Sequence, residues 1–229
     1  MNMQLSAQAQ YAVRIPCGTG LLDGDLVVPA GATGLVIFAH GSGSSRFSPR
    51  NRMVADAMHQ HHIATLLMDL LTPPEAAVDE RTGELRFNIP FLTSRLHCAI
   101  EWARKHEKLA HLGIGLFGAS TGSAAALCAA ARVPEIQAVV SRGGRTDMAG
   151  EDVGKVSAPT LLIVGEDDHP VMEWNRKTLA DLVGIKHLLR IPGATHLFQE
   201  PGTLEQVATS ASDWFAHYLS TQTRKGTAP

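Results

Sequence analysis

The sequence lacks a long apolar run, a basic leader and an excess of either charge. Its 229 residues include 20 Lys and Arg against 22 Asp and Glu, which gives a formal net charge of −2. This balance provides no basic surface for nucleic acid or an anionic membrane, and it favours a small-molecule partner. No uncharged, continuously apolar run approaches the ~18 residues of a membrane span, and MNMQLSAQAQ at the N-terminus has no export-signal pattern. We therefore expect a cytoplasmic protein that binds neither nucleic acid nor membrane.

Cysteine is also scarce. Cys17, Cys98 and Cys128 are odd in number, widely spaced and without a CxxC pair. This pattern argues against a disulfide framework and against a zinc knuckle. Each cysteine is expected to be a small buried apolar side chain.

The composition is that of one globular domain. Apolar residues make up 45% of the chain and charged residues 18%, without a linker, an internal repeat or a low-complexity tract. We expect a single domain over 1–229, with flexible ends at about 1–8 and 222–229.

Apolar runs that alternate with helical patterns predict an α/β fold. Continuous apolar runs predict buried strands at 34–39, 63–70, 112–118, 136–140 and 160–164, followed by an apolar strip at 188–191. Helical segments are predicted at 49–61, 90–105, 120–132, 172–183 and 203–219. The order predicts a doubly wound, mostly parallel sheet with helices on both faces.

Three other stretches complete this prediction. Alternating residues at 11–15 and 21–28 predict an antiparallel hairpin at the N-terminal edge of the sheet. The stretches 71–89 and 141–158 have no clear period and are too short for a cap domain; the second is expected to hold at most a short helix.

The strongest chemical signal is the GxSxG sequence from Gly118 to Gly122, which follows a predicted strand and opens an alanine-rich helix. This context is that of a nucleophile elbow, in which a strained turn exposes the serine hydroxyl and glycines allow close packing. The alternative is an ordinary glycine-rich turn. We predict that Ser120 is a nucleophile and that the helix after it favours negative charge beside it.

A serine nucleophile needs a histidine base and a carboxylate that orients it. Both follow in order: Gly165-Glu166-Asp167-Asp168 comes after one predicted strand, and Ala194-Thr195-His196 comes after the next. Each could instead be a solvated loop. Their joint order at strand ends favours a triad of Ser120, Asp168 and His196.

An oxyanion hole is predicted from HGSGSSR at 40–46, which follows the strand 34–39. We expect the backbone N–H groups of Ser42 and Thr121 to hold the oxyanion. Phosphate binding is disfavoured because the segment has neither a P-loop ending nor GxGxxG spacing.

These motifs, HGSG, GASTG, VGEDD and ATH, resemble those of the α/β-hydrolase superfamily, and in particular of its small cap-less members similar to dienelactone hydrolase and bacterial carboxylesterases. The resemblance spans nearly the whole chain. It implies a two-step acyl-enzyme mechanism without a metal or an organic cofactor. Dienelactone hydrolases carry cysteine at the elbow, whereas this chain has Ser120, so simple, short-chain carboxylic esters are the expected substrates.

Other functions remain open at this stage. A peptidase, thioesterase, acyltransferase or dienelactone hydrolase would carry a similar triad, and a non-catalytic binding scaffold is a further alternative. Arg46, Arg142 and Arg145 follow strands, so they could bind a substrate carboxylate or phosphate; structural ion pairs with residues such as Asp147 or Asp69 are favoured over this. The sequence does not specify an oligomeric state.

Overall fold

A computed structural model describes residues 9–219, which form an α/β architecture around one eight-stranded sheet. The strands are β1 (Ala9–Cys17), β2 (Gly20–Val28), β3 (Gly34–Ala39), β4 (Ile63–Met68), β5 (Gly113–Ala119), β6 (Ile136–Arg142), β7 (Thr160–Gly165) and β8 (Lys186–Ile191). Their order across the sheet is β1-β2-β4-β3-β5-β6-β7-β8. The expected flexible ends lie outside the described residues.

The sheet is antiparallel at its N-terminal edge and parallel elsewhere. β1 pairs with β2, and β2 with β4, in antiparallel register, whereas β3 to β8 run parallel. This confirms the predicted fold class and the edge hairpin. After β3 the chain moves to β4 on one side and then to β5 on the other, so the loops after β3 and β5 meet at a switch point, where open α/β sheets bind ligands.

Residues 9–219 contain six α-helices, most of which pack on the two faces of the sheet. They are α1 (Pro49–Gln60), α2 (Pro73–Thr82), α3 (Ile89–Lys105), α4 (Thr121–Arg132), α5 (His169–Asp181) and α6 (Thr203–Tyr218). One apolar core packs the sheet against α3 and α4, and a second packs the opposite face against α1 and α6. Within residues 9–219 none of the helices has the length and apolar character needed to span a bilayer.

The two stretches without a clear period contain short helices. In the first, α2 begins with a capping box, in which the Thr72 side chain accepts from the Glu75 N–H and the Glu75 side chain accepts from the Thr72 N–H. Its weakly apolar sequence explains why periodicity did not predict it. The second contains 3₁₀ turns over Thr146–Lys155, interrupted by a kink at Gly150, in agreement with the expectation of at most a short helix.

The prediction for the cysteines was wrong for two of the three. Cys17 at the end of β1 and Cys98 in α3 form a disulfide, with their Cα atoms 5.4 Å apart across a sequence separation of 81. α3 packs against β1, and this tertiary contact brings together two residues whose spacing in the sequence gave no sign of pairing. Cys128 is a free, buried thiol, as expected.

Candidate active site

Ser120 occupies the turn between β5 and α4. Its backbone angles, φ 50° and ψ −120°, lie in the left-handed region that non-glycine residues rarely adopt. Two hydrogen bonds link it to the end of β6 and the turn after it: the Ser120 N–H donates to the Arg142 carbonyl (3.1 Å), and the Ser120 carbonyl accepts from the Arg145 N–H (3.0 Å). The turn after β6 therefore fixes the serine in a strained geometry.

The two glycines of GxSxG are required by close packing. A Cβ on Gly118 would lie 2.4 Å from the Cα of Ser123, and one on Gly122 would lie 2.2 Å from the carbonyl oxygen of Ala39. Both distances are far below contact distance. As the sequence suggested, α4 can pack directly on β3 and β5 only because these side chains are absent.

Among the three acidic residues after β7, Asp168 contacts His196. The Nδ1 atom of His196 lies 2.6 Å from Oδ2 of Asp168. The carboxylate is mostly buried, with 10% of its side chain exposed, whereas 38% of the imidazole is exposed. Asp167 and Glu166 are exposed. Asp168 can thus orient the imidazole and stabilise its protonated form.

The imidazole lies beside the turn that holds the serine. A Cβ on Gly143 would lie 3.5 Å from both Cε1 and Nδ1 of His196. Gly143 directly follows Arg142, whose carbonyl accepts from the Ser120 N–H. The structure therefore brings Ser120, Asp168 and His196 to the same edge of the sheet.

The loop after β3 runs next to the serine. A Cβ on Gly41 would lie 3.1 Å from the Cβ of Ser120. Within the described part of the chain, the backbone N–H of Ser42 donates to no residue, and that of Thr121 opens α4, where no intrahelical acceptor exists. Both groups are available to an anion beside Ser120, and the positive end of α4 favours negative charge there.

His40 fixes the start of this loop. Its Nε2 accepts a hydrogen bond from the Leu70 N–H (3.1 Å), and its Nδ1 lies 2.9 Å from the Gly41 carbonyl. Burial lowers the pKa of His40, against smaller opposing effects of the Gly41 hydrogen bond and the Asp69 charge. This positioning contact joins two loops that are distant in sequence, and the motif HGSG alone gave no sign of it.

A cavity of about 440 Å³ opens beside this loop. Its apolar wall is formed by Leu70, Leu71, Ala76 and Leu92. Arg86 also lines the cavity, and its Nε donates to the carboxylate of buried Asp79 (2.7 Å). Ser42 and Thr121, the residue after Ser120, also line this space, which suits a small organic group.

Two of the three arginines singled out in the sequence form ion pairs. Arg46 pairs with Asp69, and Arg145 pairs with Asp147 through two hydrogen bonds of 2.9 and 2.8 Å. The expectation that these arginines form structural ion pairs is confirmed for Arg46 and Arg145. Arg142, although buried, has no acidic partner among the described residues.

The fold and the elbow are those of an α/β hydrolase, and comparison with known proteins identifies the family. Residues 57–223 match the model of the Dienelactone hydrolase family, and the chain belongs to that family. A crystal structure of dienelactone hydrolase from Anabaena variabilis is 55% identical, with a TM-score of 0.91, covering 93% of this chain and 99% of that one.

More distant structures share the fold alone. Carboxyl esterase 2 from Tuber melanosporum is 16% identical, with a TM-score of 0.73, over 94% of this chain and 89% of that one. Est1E from Butyrivibrio proteoclasticus is 17% identical, with a TM-score of 0.76, over 90% of this chain and 98% of that one.

Two curated relatives from Mycobacterium tuberculosis strains have a different name. Each is called a putative phosphoribosyl transferase and is 52% identical over 209 residues, which is 90% of this chain but 46% of the relative. The chain spans about half the length of these relatives.

Proposed function

We propose that this protein is a serine hydrolase that cleaves carboxylic esters through an acyl-enzyme intermediate. The observation that carries the proposal is the 2.6 Å hydrogen bond between Asp168 and His196 at the sheet edge where Ser120 occupies a nucleophile elbow. A hydrogen-bonded acid and histidine next to a partly exposed serine meet the requirement for activating a hydroxyl at neutral pH.

The proposed reaction has two steps. The Ser120 Oγ attacks the ester carbonyl while His196 Nε2 takes its proton, and Asp168 stabilises the imidazolium. His196 then protonates the departing alcohol, which leaves an ester on Ser120. Water attacks this ester with His196 again as the base, the acid product leaves, and the proton returns to Ser120.

The N–H groups of Ser42 and Thr121 are proposed to hold the oxyanion that forms in both steps. Such a donor contributes about 3 kcal/mol to transition-state stabilisation in comparable sites. Both groups are free of other acceptors among residues 9–219; Thr121 follows Ser120 in the chain, and Ser42 follows Gly41, which lies next to Ser120. The contact of His40 with Leu70 would hold the first donor in place.

The proposed substrate is a small ester with a short acyl group. The cavity of about 440 Å³ is lined by both Ser42 and Thr121 and is large enough for a small organic molecule, and serine at the elbow suits simple esters. Neither nucleic acid nor a membrane is a proposed partner. No metal or organic cofactor is part of the mechanism, and cytoplasmic location remains a prediction, although persistent disulfides are uncommon in that compartment.

Phosphoribosyl transfer is not proposed for this chain. The name that mentions it belongs to proteins of about twice the length, whereas the family match and the elbow lie within the shared half. Thioesterase, peptidase, acyltransferase and dienelactone hydrolase activities use similar machinery, so substrate tests must separate them.

Labelling with a fluorophosphonate, followed by peptide mapping, tests the nucleophile. We expect one adduct on Ser120 and none in Ser120→Ala. No labelling of the native protein, or the same labelling in the variant, would favour a non-catalytic binding scaffold.

A series of p-nitrophenyl esters of increasing chain length, compared with a dienelactone, a thioester and aminoacyl amides, tests the substrate class. Faster hydrolysis of the thioester or of the amides would overturn the ester assignment, and faster hydrolysis of the dienelactone would replace the short-chain ester by a cyclic one.

A further inference from the structure

Asn175 is a fully buried amide within α5. Its Nδ2 atom donates two hydrogen bonds, one to the Val171 carbonyl of the same helix (2.8 Å) and one to the Gly144 carbonyl in the turn after β6 (2.9 Å). The reverse orientation of the amide would place its oxygen against two carbonyl oxygens, so the neighbours fix which atom faces them. The bond to Gly144 joins α5 to a segment that is distant in sequence.

The turn after β6, residues 143–145, contacts the proposed nucleophile and the proposed base. Arg145 donates its N–H to the Ser120 carbonyl (3.0 Å). Gly143 lies beside the imidazole, since a Cβ there would be 3.5 Å from the Cε1 and Nδ1 atoms of His196. Gly144 lies between these two residues, so a displacement of its carbonyl would move Ser120 and His196 relative to each other.

This turn is packed closely on all sides. A Cβ on Gly144 would overlap the Ser141 Oγ and would lie 2.7 Å from the Cβ of Ser123, so the turn lies directly against β6 and α4. From α5, the Trp174 ring stacks on the guanidinium of Arg145, with 4.4 Å between Cζ and the ring centroid. α5 therefore contacts the turn through side chains at two successive positions, 174 and 175.

The same helix also positions the proposed acid. Asp168 is the N-cap residue of α5, and its carboxylate lies 2.6 Å from the Nδ1 atom of His196. Asn175 follows it by about two helical turns. Because the helix between them is continuous, the bond from Asn175 to Gly144 sets where the acid lies relative to the turn that contacts Ser120.

We propose that Asn175 is a positioning residue for ester hydrolysis. By donating to the Gly144 carbonyl, it holds the turn that contacts Ser120 and His196 against the helix that begins at Asp168. It touches neither the substrate nor the reacting atoms and acts through the turn. Its effect on rate rests on the proposed function, whereas the geometry that it maintains can be measured without the reaction.

The first test compares kcat with KM for p-nitrophenyl butyrate. Asn175→Leu keeps the branched shape and removes both donors, and kcat is expected to fall about 10- to 100-fold because the reacting groups are displaced. KM should change by less than about threefold, because the cavity beside the loop after β3 is lined by other segments. An unchanged kcat would overturn the proposal.

Asn175→Ser tests the bond to Gly144 with less disturbance of the helix. Its single hydroxyl donor favours the carbonyl of Val171, four residues earlier in the helix, and leaves Gly144 without its partner. A loss of kcat similar to that in Asn175→Leu is therefore expected. If Asn175→Leu does not fold, Asn175→Ser provides the comparison, and native kcat in this variant would overturn the proposal.

Met172→Ala is the matched control for loss of stability. Met172 is buried on the same helix and packs with Val164 and Val171, so its truncation should lower Tm by about 5 °C or more. Assayed well below that Tm, kcat should stay within about twofold of the native value. A fall as large as that in Asn175→Leu would show that any loosening of α5 suffices, and would reject a specific role for Asn175.

A background that carries Asp168→Asn separates positioning from a purely structural role. Groups that act as a unit have non-additive effects. Once Asp168 no longer orients the imidazole, Asn175→Leu is expected to lower kcat further by less than about threefold. The same fold reduction in both backgrounds would mean that Asn175 acts independently of the proposed triad, contrary to the proposal.

The hydrogen bond between His196 and Asp168 gives a readout that needs no hydrolysis. In protein with isotope-labelled histidine, the NMR resonance of the His196 Nδ1 proton should shift or broaden in Asn175→Leu and stay unchanged in Met172→Ala. Absence of ester hydrolysis with an Asn175-dependent resonance would reject the proposed function and retain the positioning. Native hydrolysis and an unchanged resonance in both Asn175 variants would retain the function and reject the positioning.

Discussion

The Nε2 atom of His40 accepts a hydrogen bond from the backbone N–H of Leu70 at 3.1 Å, and this bond joins the loop after β3 to the segment after β4. Since Nε2 must be unprotonated to accept, the contact exists only while the imidazole is neutral. The neutral form is favoured because burial lowers the pKa of His40. The geometry of the loop beside Ser120 is thus coupled to the protonation of a residue outside the proposed triad.

Stability is expected to fall as the pH drops below the ordinary histidine pKa of 6.5. The pKa of His40 is lower in the folded than in the unfolded protein, so the unfolded state binds more protons between these two values. The stability contributed by neutral His40 is therefore complete above pH 6.5. Below that pH the unfolding free energy falls by about 1 kcal/mol per pH unit until the pH reaches the folded pKa.

Urea unfolding at pH 7.5 and 5.5 measures this effect. The loss between the two pH values should be smaller in His40→Asn than in the native protein. It should not vanish, because burial also lowers the pKa values of His59 and His97. An equal loss in both proteins would show that His40 does not titrate as its burial indicates.

Replacing Asp168 and Asp167 one at a time distinguishes a carboxylate that orients His196 from one that only adds negative charge to the loop. Asp168→Asn removes the carboxylate that contacts His196, and kcat for a p-nitrophenyl ester should fall by about 10⁴-fold. Asp167→Asn makes the same replacement at an exposed side chain and should change kcat by less than about twofold. The reverse ranking would move the acid to Asp167.

The disulfide is expected to stabilise the protein substantially. It closes a loop across a sequence separation of 81, and the double variant Cys17→Ala/Cys98→Ala should lose about 3–5 kcal/mol of unfolding free energy. A reductant should lower Tm of the native protein but not of the double variant. Cys128→Ala is the control and should remain sensitive to the reductant.

Alkylation of the denatured, unreduced chain gives an independent measurement of the same bond. Only Cys128 should be modified, because it is the free cysteine of the described structure. Modification of all three cysteines would mean that the bond does not form under the conditions used.

Close packing at the elbow makes Gly122 intolerant of a side chain. A Cβ there would meet the Ala39 carbonyl at 2.2 Å, so Gly122→Ala should lower the unfolding free energy by about 3 kcal/mol or more. Gly154→Ala is the matched control, since its Cβ would meet only the Asp181 carbonyl at 3.9 Å. Chemical denaturation of both variants makes the comparison, and equal stability would contradict the packing.

Local patterns predicted most of the fold, and tertiary contacts account for what they missed. β3 has the predicted bounds because a run of buried apolar residues ends at a turn signal. α2 was missed because its sequence is weakly apolar, although Thr72 and Glu75, three residues apart, were a visible capping signal. The partners of Cys17 and Cys98 depend on how α3 packs on β1, which spacing does not encode.

The same distinction holds at the site. Asp168 and His196 were selected by their order after consecutive strands, and the structure brings them together. The His40 contact with Leu70 joins separate loops, and the lack of an acidic partner for Arg142 among residues 9–219 depends on every neighbour around it. Neither could be read from a local motif.

The backbone of Ser120 implies that the protein would be more stable without its proposed nucleophile. A non-glycine residue at φ 50° and ψ −120° costs about 1–3 kcal/mol, which glycine would largely avoid. Ser120→Gly should therefore melt at a higher temperature than Ser120→Ala, which keeps the strained backbone and also lacks the hydroxyl. A higher Tm for Ser120→Ala would contradict this. Selection for stability alone would remove this serine, and its presence would then reflect selection for chemistry.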